Sequence, residues 1–314
     1  MHLLILVFIK SIIFSGYEAI AQNEDDQLVR LAHSKPAYNN VGSLTANSHE
    51  NKQLENIGST TYIGNNLCLT SAHCFKNNFF HYEVFFDFDT AKRKIAHYSV
   101  KHFIVHPEYK NNPKFDIAIL ILDKPVKELN GLKINYDFSK HQVFADYQHL
   151  LTYVGYGVKI FGNDFFSVPD SKRRARQCHT HHCFMKPNFL GIYSTPYGKY
   201  NESNAERPLG EFEAYSRNGM SGGAAINEND ELVSIIFGTE TPEQLFSLST
   251  CLYLMFAQFA NSFIDIFSPM FWPTFSFNTA VIIPGSWTRS VPLGACREWI
   301  ESVQRQYGED AHIV

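Results

Sequence analysis

Asn218-Gly219-Met220-Ser221-Gly222-Gly223-Ala224, with the apolar run Leu232 to Phe237 close behind, sets one serine among glycines at the head of a β-type segment. Glycines on both sides of a serine let the backbone enter a turn whose amide hydrogens point inward. Working outward from this turn, short β-type runs recur between polar, Gly- and Asn-containing breaks. They are Leu54 to Ile63, Leu67 to Thr70, His81 to Phe88, Tyr98 to Val105, Ile117 to Leu122 and Leu150 to Val154. No long amphipathic helix interrupts them, no repeat stands out, and no phosphate-cradling glycine loop follows any of them. The pattern predicts an all-β barrel or sandwich and argues against a nucleotide-binding α/β fold.

Composition agrees. The chain has 314 residues, 45% hydrophobic and 18% charged, with a formal net charge of -4, enough apolar material for a core and too little charge bias for disorder. Near-neutral charge gives no reason to expect a nucleic-acid partner. Counts of 27 Phe and 16 Tyr suit strands. The apolar opening ends in Ala19-Ile20-Ala21, small residues where a signal peptidase reads, so residues 1–21 are expected to be a secretory signal, with an uncleaved anchor as the alternative. Localisation is then secreted or periplasmic, where disulfides form, and the six Cys allow them without fixing a pairing. Cys178 to Cys183, CHTHHC, offers imidazoles beside thiols, but so tight a run aims poorly at one ion, so a disulfide is preferred to a metal site.

Three regions depart from the strand rhythm. Residues 162–210 read as long surface loops around one or two strands, and within them Lys172-Arg173-Arg174-Ala175-Arg176 reads as a solvated face or protease-sensitive loop. Residues 251–283 carry Asp265 as their one charge, and Gln258, Asn261, Ser262 and the prolines 269 and 273 spoil them as a membrane span. They are expected to be an insertion packed on the domain or an apolar rim, so membrane association is not expected. Trp299, Ile300 and Val303 stand at helical spacing and predict a closing amphipathic helix.

Two further segments complete the chemistry of Ser221. Leu69-Thr70-Ser71-Ala72-His73-Cys74 puts a histidine at a strand end, and Phe115-Asp116-Ile117-Ala118-Ile119-Leu120 puts a carboxylate at the mouth of an apolar strand, where its desolvation requires a partner. A serine hydroxyl becomes a nucleophile when an imidazole can take its proton, and a buried carboxylate fixes that imidazole's tautomer. His73, Asp116 and Ser221 can fill these catalytic roles, and the amides of Gly219 and Ser221 can form an oxyanion hole, where each donor is worth about 3 to 4 kcal/mol. Taken singly, each motif is more often a turn, a structural histidine or a strand cap.

Jointly, TSAHC, DIAIL and GMSGGA resemble, in order and separation, the signatures of the trypsin-like (chymotrypsin-fold) serine peptidases. Tyr153-Val154-Gly155-Tyr156-Gly157 is similar to the family's strand opening its second barrel, Leu232 to Gly238 to its pocket strand, and Trp299-Ile300 to its terminal helix. The resemblance implies two six-stranded antiparallel β-barrels with a C-terminal helix. It implies a peptidase domain over 38–307 with an insertion at about 240–283, after an N-terminal segment 22–37 and before a tail at 308–314. It also implies a substrate pocket at Tyr215, Ser216 and Gly238, a polypeptide substrate, no cofactor or metal, and a monomer.

The chain also departs from the family. No Ile-Val-Gly-Gly start is visible between Arg30 and Gly42, and Met220 replaces the acid beside the nucleophile. Gly58 stands where the disulfide partner of Cys74 belongs, Ile236 where a serine supports the Asp, and neutral Tyr215 at the pocket base. These features resemble bacterial-type members such as glutamyl endopeptidase. They imply no preference for basic side chains. They also imply competence without a defined N-terminus, so that starts at Gln22, Asp25 and Leu28 are equivalent. A catalytically silent, polypeptide-binding relative is the competing expectation.

Overall fold

The structure is a computed structural model, and it describes residues 25–48, 54–75, 79–89, 94–138, 149–157, 159–161, 166–168, 171–184, 190–195, 219–240 and 287–308. The expected signal at 1–21, the segment 251–283 and the expected pocket residues Tyr215 and Ser216 lie outside them. Residues 25–32 form helix α1, and a 3-10 turn at Pro36–Asn40 leads into the first strand.

Strands β1 (Val41–Ser48), β2 (Glu55–Gly64), β3 (Leu67–Thr70), β4 (Phe79–Asp89), β5 (Lys94–Val105) and β6 (Ala118–Leu122) form a closed antiparallel barrel in the order β1-β2-β3-β6-β5-β4. A second antiparallel sheet contains β7 (Leu150–Gly155), β10 (Arg174–Phe184), β11 (Gly191–Thr195), β12 (Ala224–Ile226), β13 (Leu232–Glu240) and β14 (Trp287–Pro292). Its order is β10-β11-β14-β13-β12-β7, and β7 pairs with both β12 and β10. A small hairpin, β8 (Lys159–Phe161) with β9 (Phe166–Val168), stands beside it. Helix α2 (Arg297–Gly308) follows, as the 299–303 spacing predicts. No helix among the described residues is long and apolar enough to cross a membrane.

Period-two alternation explains why the sheets share one core. Along β6, Ile119 and Ile121 join a cluster with Val154, Ala224 and Ile235 of the second sheet and Ile300 and Val303 of α2, while Leu120 and Leu122 face the first barrel's interior with Leu44, Val84 and Phe86. Along β7, Val154 joins the shared cluster, and Leu151 and Tyr153 pack inside the second sheet with Ile192 and Ile236. Ala32 of α1 and Tyr38 also belong to the shared cluster, so the chain from residue 25 onward is part of this packing.

Two expectations are corrected. The basic run is no solvated loop: Arg173, Arg174 and Arg176 are all fully buried, at the start of β10. Their guanidinium groups donate to backbone carbonyls and side chains, Arg173 to Asp87 O (3.0 Å) and Asn39 Oδ1 (2.6 Å), Arg174 to Gly157 O (2.7 Å) and to Asp25. Buried charge survives where such partners replace water. Nor does the structure contain the expected disulfides among its described residues. Cys68, Cys74, Cys178 and Cys296 are buried thiols, and burial pushes those of Cys74 and Cys296 up to about 12. CHTHHC is a stretch of β10, and five residues of strand set Cys178 and Cys183 about 16 Å apart, far beyond the reach of a disulfide.

His106 ties α2 to the loop that carries Asp116. Its ring stacks on Phe115 (4.7 Å between centroids) and meets Trp299 edge-on (4.8 Å), and its Nδ1 accepts the Glu108 amide at 3.2 Å. An accepting Nδ1 is unprotonated, and burial lowers the pKa from the usual 6.5 to about 4. The folded state therefore disfavours the proton that the unfolded chain takes up near pH 6.5, so this contribution to stability is complete above pH 6.5 and is lost as pH falls toward 4. His106→Asn, which can keep the accepting cap but cannot titrate, is expected to lower Tm at neutral pH and to flatten its fall between pH 6.5 and 4. Thermal melts across that range check this, and an unchanged slope refutes it.

Candidate active site

Antiparallel pairing of β3 with β6, with Thr70 opposite Ala118, brings the turn after one strand beside the entry to the other. His73 lies in that turn, the 3-10 segment Ala72–Phe75, and Asp116 precedes β6. The Asp116 side chain is fully buried and accepts the His73 backbone amide on Oδ1 (2.7 Å), while Oδ2 lies 2.5 Å from His73 Nδ1. Two donors offset the desolvation of the carboxylate. Because a carboxylate accepts, Nδ1 carries the proton and Nε2 is left as the basic nitrogen. The ring is 29% exposed, so that nitrogen belongs to a part-open face.

Glycine is required on both sides of Ser221. Gly219 and Gly222 each have φ +86, and a methyl group on Gly222 would meet Ser59 O at 2.1 Å and Thr70 Oγ1 at 2.2 Å. The turn is pinned by β2: Ser59 N donates to Ser221 O (2.7 Å), Thr61 Oγ1 to Gly222 O (3.3 Å), and Ser59 Oγ to Gly219 O (2.7 Å) while accepting Tyr156 N (2.8 Å). Gly223 N donates to Met220 O at 2.9 Å, which turns the next amide, that of Ser221, the opposite way. Among the described residues the amides of Gly219 and Ser221 have no acceptor.

The hydroxyl of Ser221 donates to Phe237 O at 2.9 Å, and among the described residues it makes no hydrogen bond to His73. Phe237 nonetheless touches both, since its ring meets the His73 imidazole edge-on at 5.7 Å; on the other side Arg289 lies over it at 4.4 Å. Of the remaining candidates, Gly238 sits in β13 beside Arg289 of β14, with open space where a side chain would be. Met220 is fully buried in the core of the second sheet, and Arg176 Nη1 donates to its sulfur at 2.5 Å. Ile236 contributes its backbone: its carbonyl accepts Ser71 Oγ (2.8 Å) and Gly222 N (2.8 Å). Sequence reasoning missed Ser59, Phe237 and the arginines of β10. The run Ser59-Thr60-Thr61, three small hydroxyls inside a strand, was the available signal for the first.

The place of Gly58 accounts for the thiol of Cys74. A methyl group on Gly58 would lie 2.8 Å from Cys74 Sγ and 2.9 Å from Ser221 O, so the glycine fills the narrow space between the histidine turn and the serine turn. That first distance is close to the about 3 Å between a β-carbon and the far sulfur of a disulfide. Gly58→Cys, expressed under oxidising conditions, is therefore expected to bridge to Cys74 without an added thiol titre. A free thiol at the new position, seen by alkylation and mass spectrometry, refutes the geometry.

The trypsin family model matches residues 13–164. No curated protein matches the sequence. Among solved structures, the chain is similar to mouse neuropsin, a serine protease expressed in the limbic system of the brain, at 14% identity and a TM-score of 0.50. That likeness covers 87% of this chain and 96% of neuropsin, and at such identity it concerns the fold. The chain thus matches the trypsin family model over residues 13–164, just under half its length, and shares its fold with a serine protease.

Proposed function

We propose that the protein is a secreted or periplasmic serine endopeptidase, acting as a monomer without a cofactor, that hydrolyses polypeptides through an acyl-enzyme on Ser221. The observation that carries the reading is the buried Asp116–His73 pair beside a glycine turn with two amides that find no acceptor among the described residues. Ser221 Oγ leaves the Phe237 carbonyl by rotating about its Cα–Cβ bond, a step between staggered wells. Oγ then adds to the substrate carbonyl carbon while its proton passes to His73 Nε2, and Asp116 stabilises the imidazolium. The oxyanion is received by the amides of Gly219 and Ser221. His73 returns the proton to the leaving amine as the C–N bond breaks, and water repeats the sequence to free the acid. In the proposed pocket of Tyr215, Ser216 and Gly238, a neutral Tyr215 supplies no charge for Arg or Lys, so cleavage is not directed to basic side chains.

A silent, polypeptide-binding reading draws support from one feature, the hydrogen bond of the Ser221 hydroxyl to Phe237 rather than to His73. A fluorophosphonate probe separates the two. The peptidase labels at Ser221, and Ser221→Ala and His73→Ala lose roughly 10⁴-fold in peptide hydrolysis while staying folded. Asp116→Asn is also severely impaired, because it favours the wrong imidazole tautomer. Absence of labelling in the mature protein, or full activity in either alanine variant, overturns the peptidase reading. Digestion of a peptide library tests specificity, and strong cleavage after Arg or Lys overturns the assignment of the pocket.

A further inference from the structure

The buried arginines of β10 join α1 to the serine turn. Asp25, at the start of the described part of α1, receives Arg174 in a bidentate pair, Nε to Oδ1 and Nη2 to Oδ2, both at 2.7 Å, with the side chains 3% and 0% exposed. The remaining nitrogen of that guanidinium, Nη1, donates to Gly157 O at 2.7 Å and to Lys172 O at 3.1 Å. Arg173 holds the other end of the helix, Nε donating to Ala32 O at 3.2 Å. A cation on the last carbonyls suits the helix dipole.

Gly157 leads directly to the oxyanion side of the site. A methyl group on Gly219 would lie 2.5 Å from Tyr156 O and 3.5 Å from Gly157 Cα, so the Gly219 turn is moulded on this backbone. Tyr156 N also donates to Ser59 Oγ, the hydroxyl that holds Gly219 O. Two residues along β10 and on the same face as Arg174, Arg176 contacts the sulfur of Met220, the next residue in the turn.

We propose that α1 is an internal positioning element for the nucleophile turn, with Asp25 acting through Arg174 on the Gly157 carbonyl to hold the Tyr156–Gly157 backbone against which Gly219 is formed. The role rests on the peptidase reading for its catalytic consequence, and on contacts alone for its structural one. It modifies the sequence-based expectation about the N-terminus. Starts at Gln22 and Asp25 keep the carboxylate, whereas a start at Leu28 strips Arg174 of its counterion and is not equivalent.

The test compares wild type with Asp25→Asn, Asp25→Glu and the double variant Asp25→Leu/Arg174→Met in the full mature chain. The double variant removes both buried charges at once, so neither is left uncompensated. Lys35→Ala serves as control, since it breaks a solvent-facing contact to Asp230 in the same N-terminal region. Peptide hydrolysis is resolved into kcat and KM, and backbone hydrogen exchange is followed over residues 219–223. Asp25→Asn and the double variant are expected to lose about tenfold or more in kcat with little change in KM, Asp25→Glu to recover most of it, and Lys35→Ala to match wild type. Exchange at 219–223 should quicken in the impaired variants while β2, β3 and β6 keep their protection. Wild-type kcat in Asp25→Asn, or protection lost uniformly across both sheets, overturns the positioning role. If wild type neither hydrolyses peptides nor labels at Ser221, the peptidase reading fails and the exchange measurement alone decides: unaltered exchange at 219–223 still overturns the proposal.

Discussion

The segment Gly58 to Thr61 of β2 runs against Gly219 to Gly222, joined through backbone and the hydroxyls of Ser59 and Thr61, and the architecture of the site follows from that contact. Ser59 engages three backbone groups across the seam, receiving Tyr156 N and donating to Gly219 O and, through its amide, to Ser221 O. Gly222 is obligatory there, since its φ is positive and a β-carbon on it would overlap Ser59 O and Thr70 Oγ1. Backbone so closely approached has few ways to relax, which is the property an oxyanion hole needs.

The histidine half is set by a different device. It depends on the β3–β6 register and on one buried carboxylate whose two oxygens are both engaged by His73. Gly58 lies where these halves meet, against Cys74 on one side and Ser221 on the other. With glycine there, the thiol of Cys74 packs where a covalent bridge could have stood. Burial holds that thiol protonated, so it is a packing group rather than a reactive one.

Alternation made the first barrel legible. Leu67 to Thr70 and Ile117 to Leu122 read as strands, and their odd and even positions do serve two different cores. The pairing of His73 with Asp116 was also legible, because a carboxylate opening an apolar strand demands a donor. Strand β10 was not, because the local signal ran opposite to the tertiary outcome. Arg173, Arg174 and Arg176 carry the strongest charge density in their region, and only partners remote in sequence, Asp25, Asn39 and Asp87 among them, make their burial tolerable. The run Ser59-Thr60-Thr61 was only a faint signal, because the Ser59 hydroxyl gains its meaning once Gly219 and Tyr156 stand beside it. The orientation of the Ser221 hydroxyl toward Phe237 likewise depends on a carbonyl that no local pattern announces.

Met220 and Arg176 show what the second sheet places beside Ser221 where no acid stands. The Met220 side chain packs in the apolar company of Leu151, Tyr153, Val233 and Ile236. Its thioether suits that company and still offers a weak acceptor, which Arg176 uses. An ionic anchor lies two residues along β10, at Arg174 with Asp25, where the planar fork of the guanidinium satisfies a carboxylate and a backbone carbonyl together. A point charge such as an ammonium could pair with the carboxylate but would not fix its orientation relative to Gly157. The consequence is that helix α1 and the Tyr156–Gly157 backbone, against which Gly219 lies, are joined through one planar group.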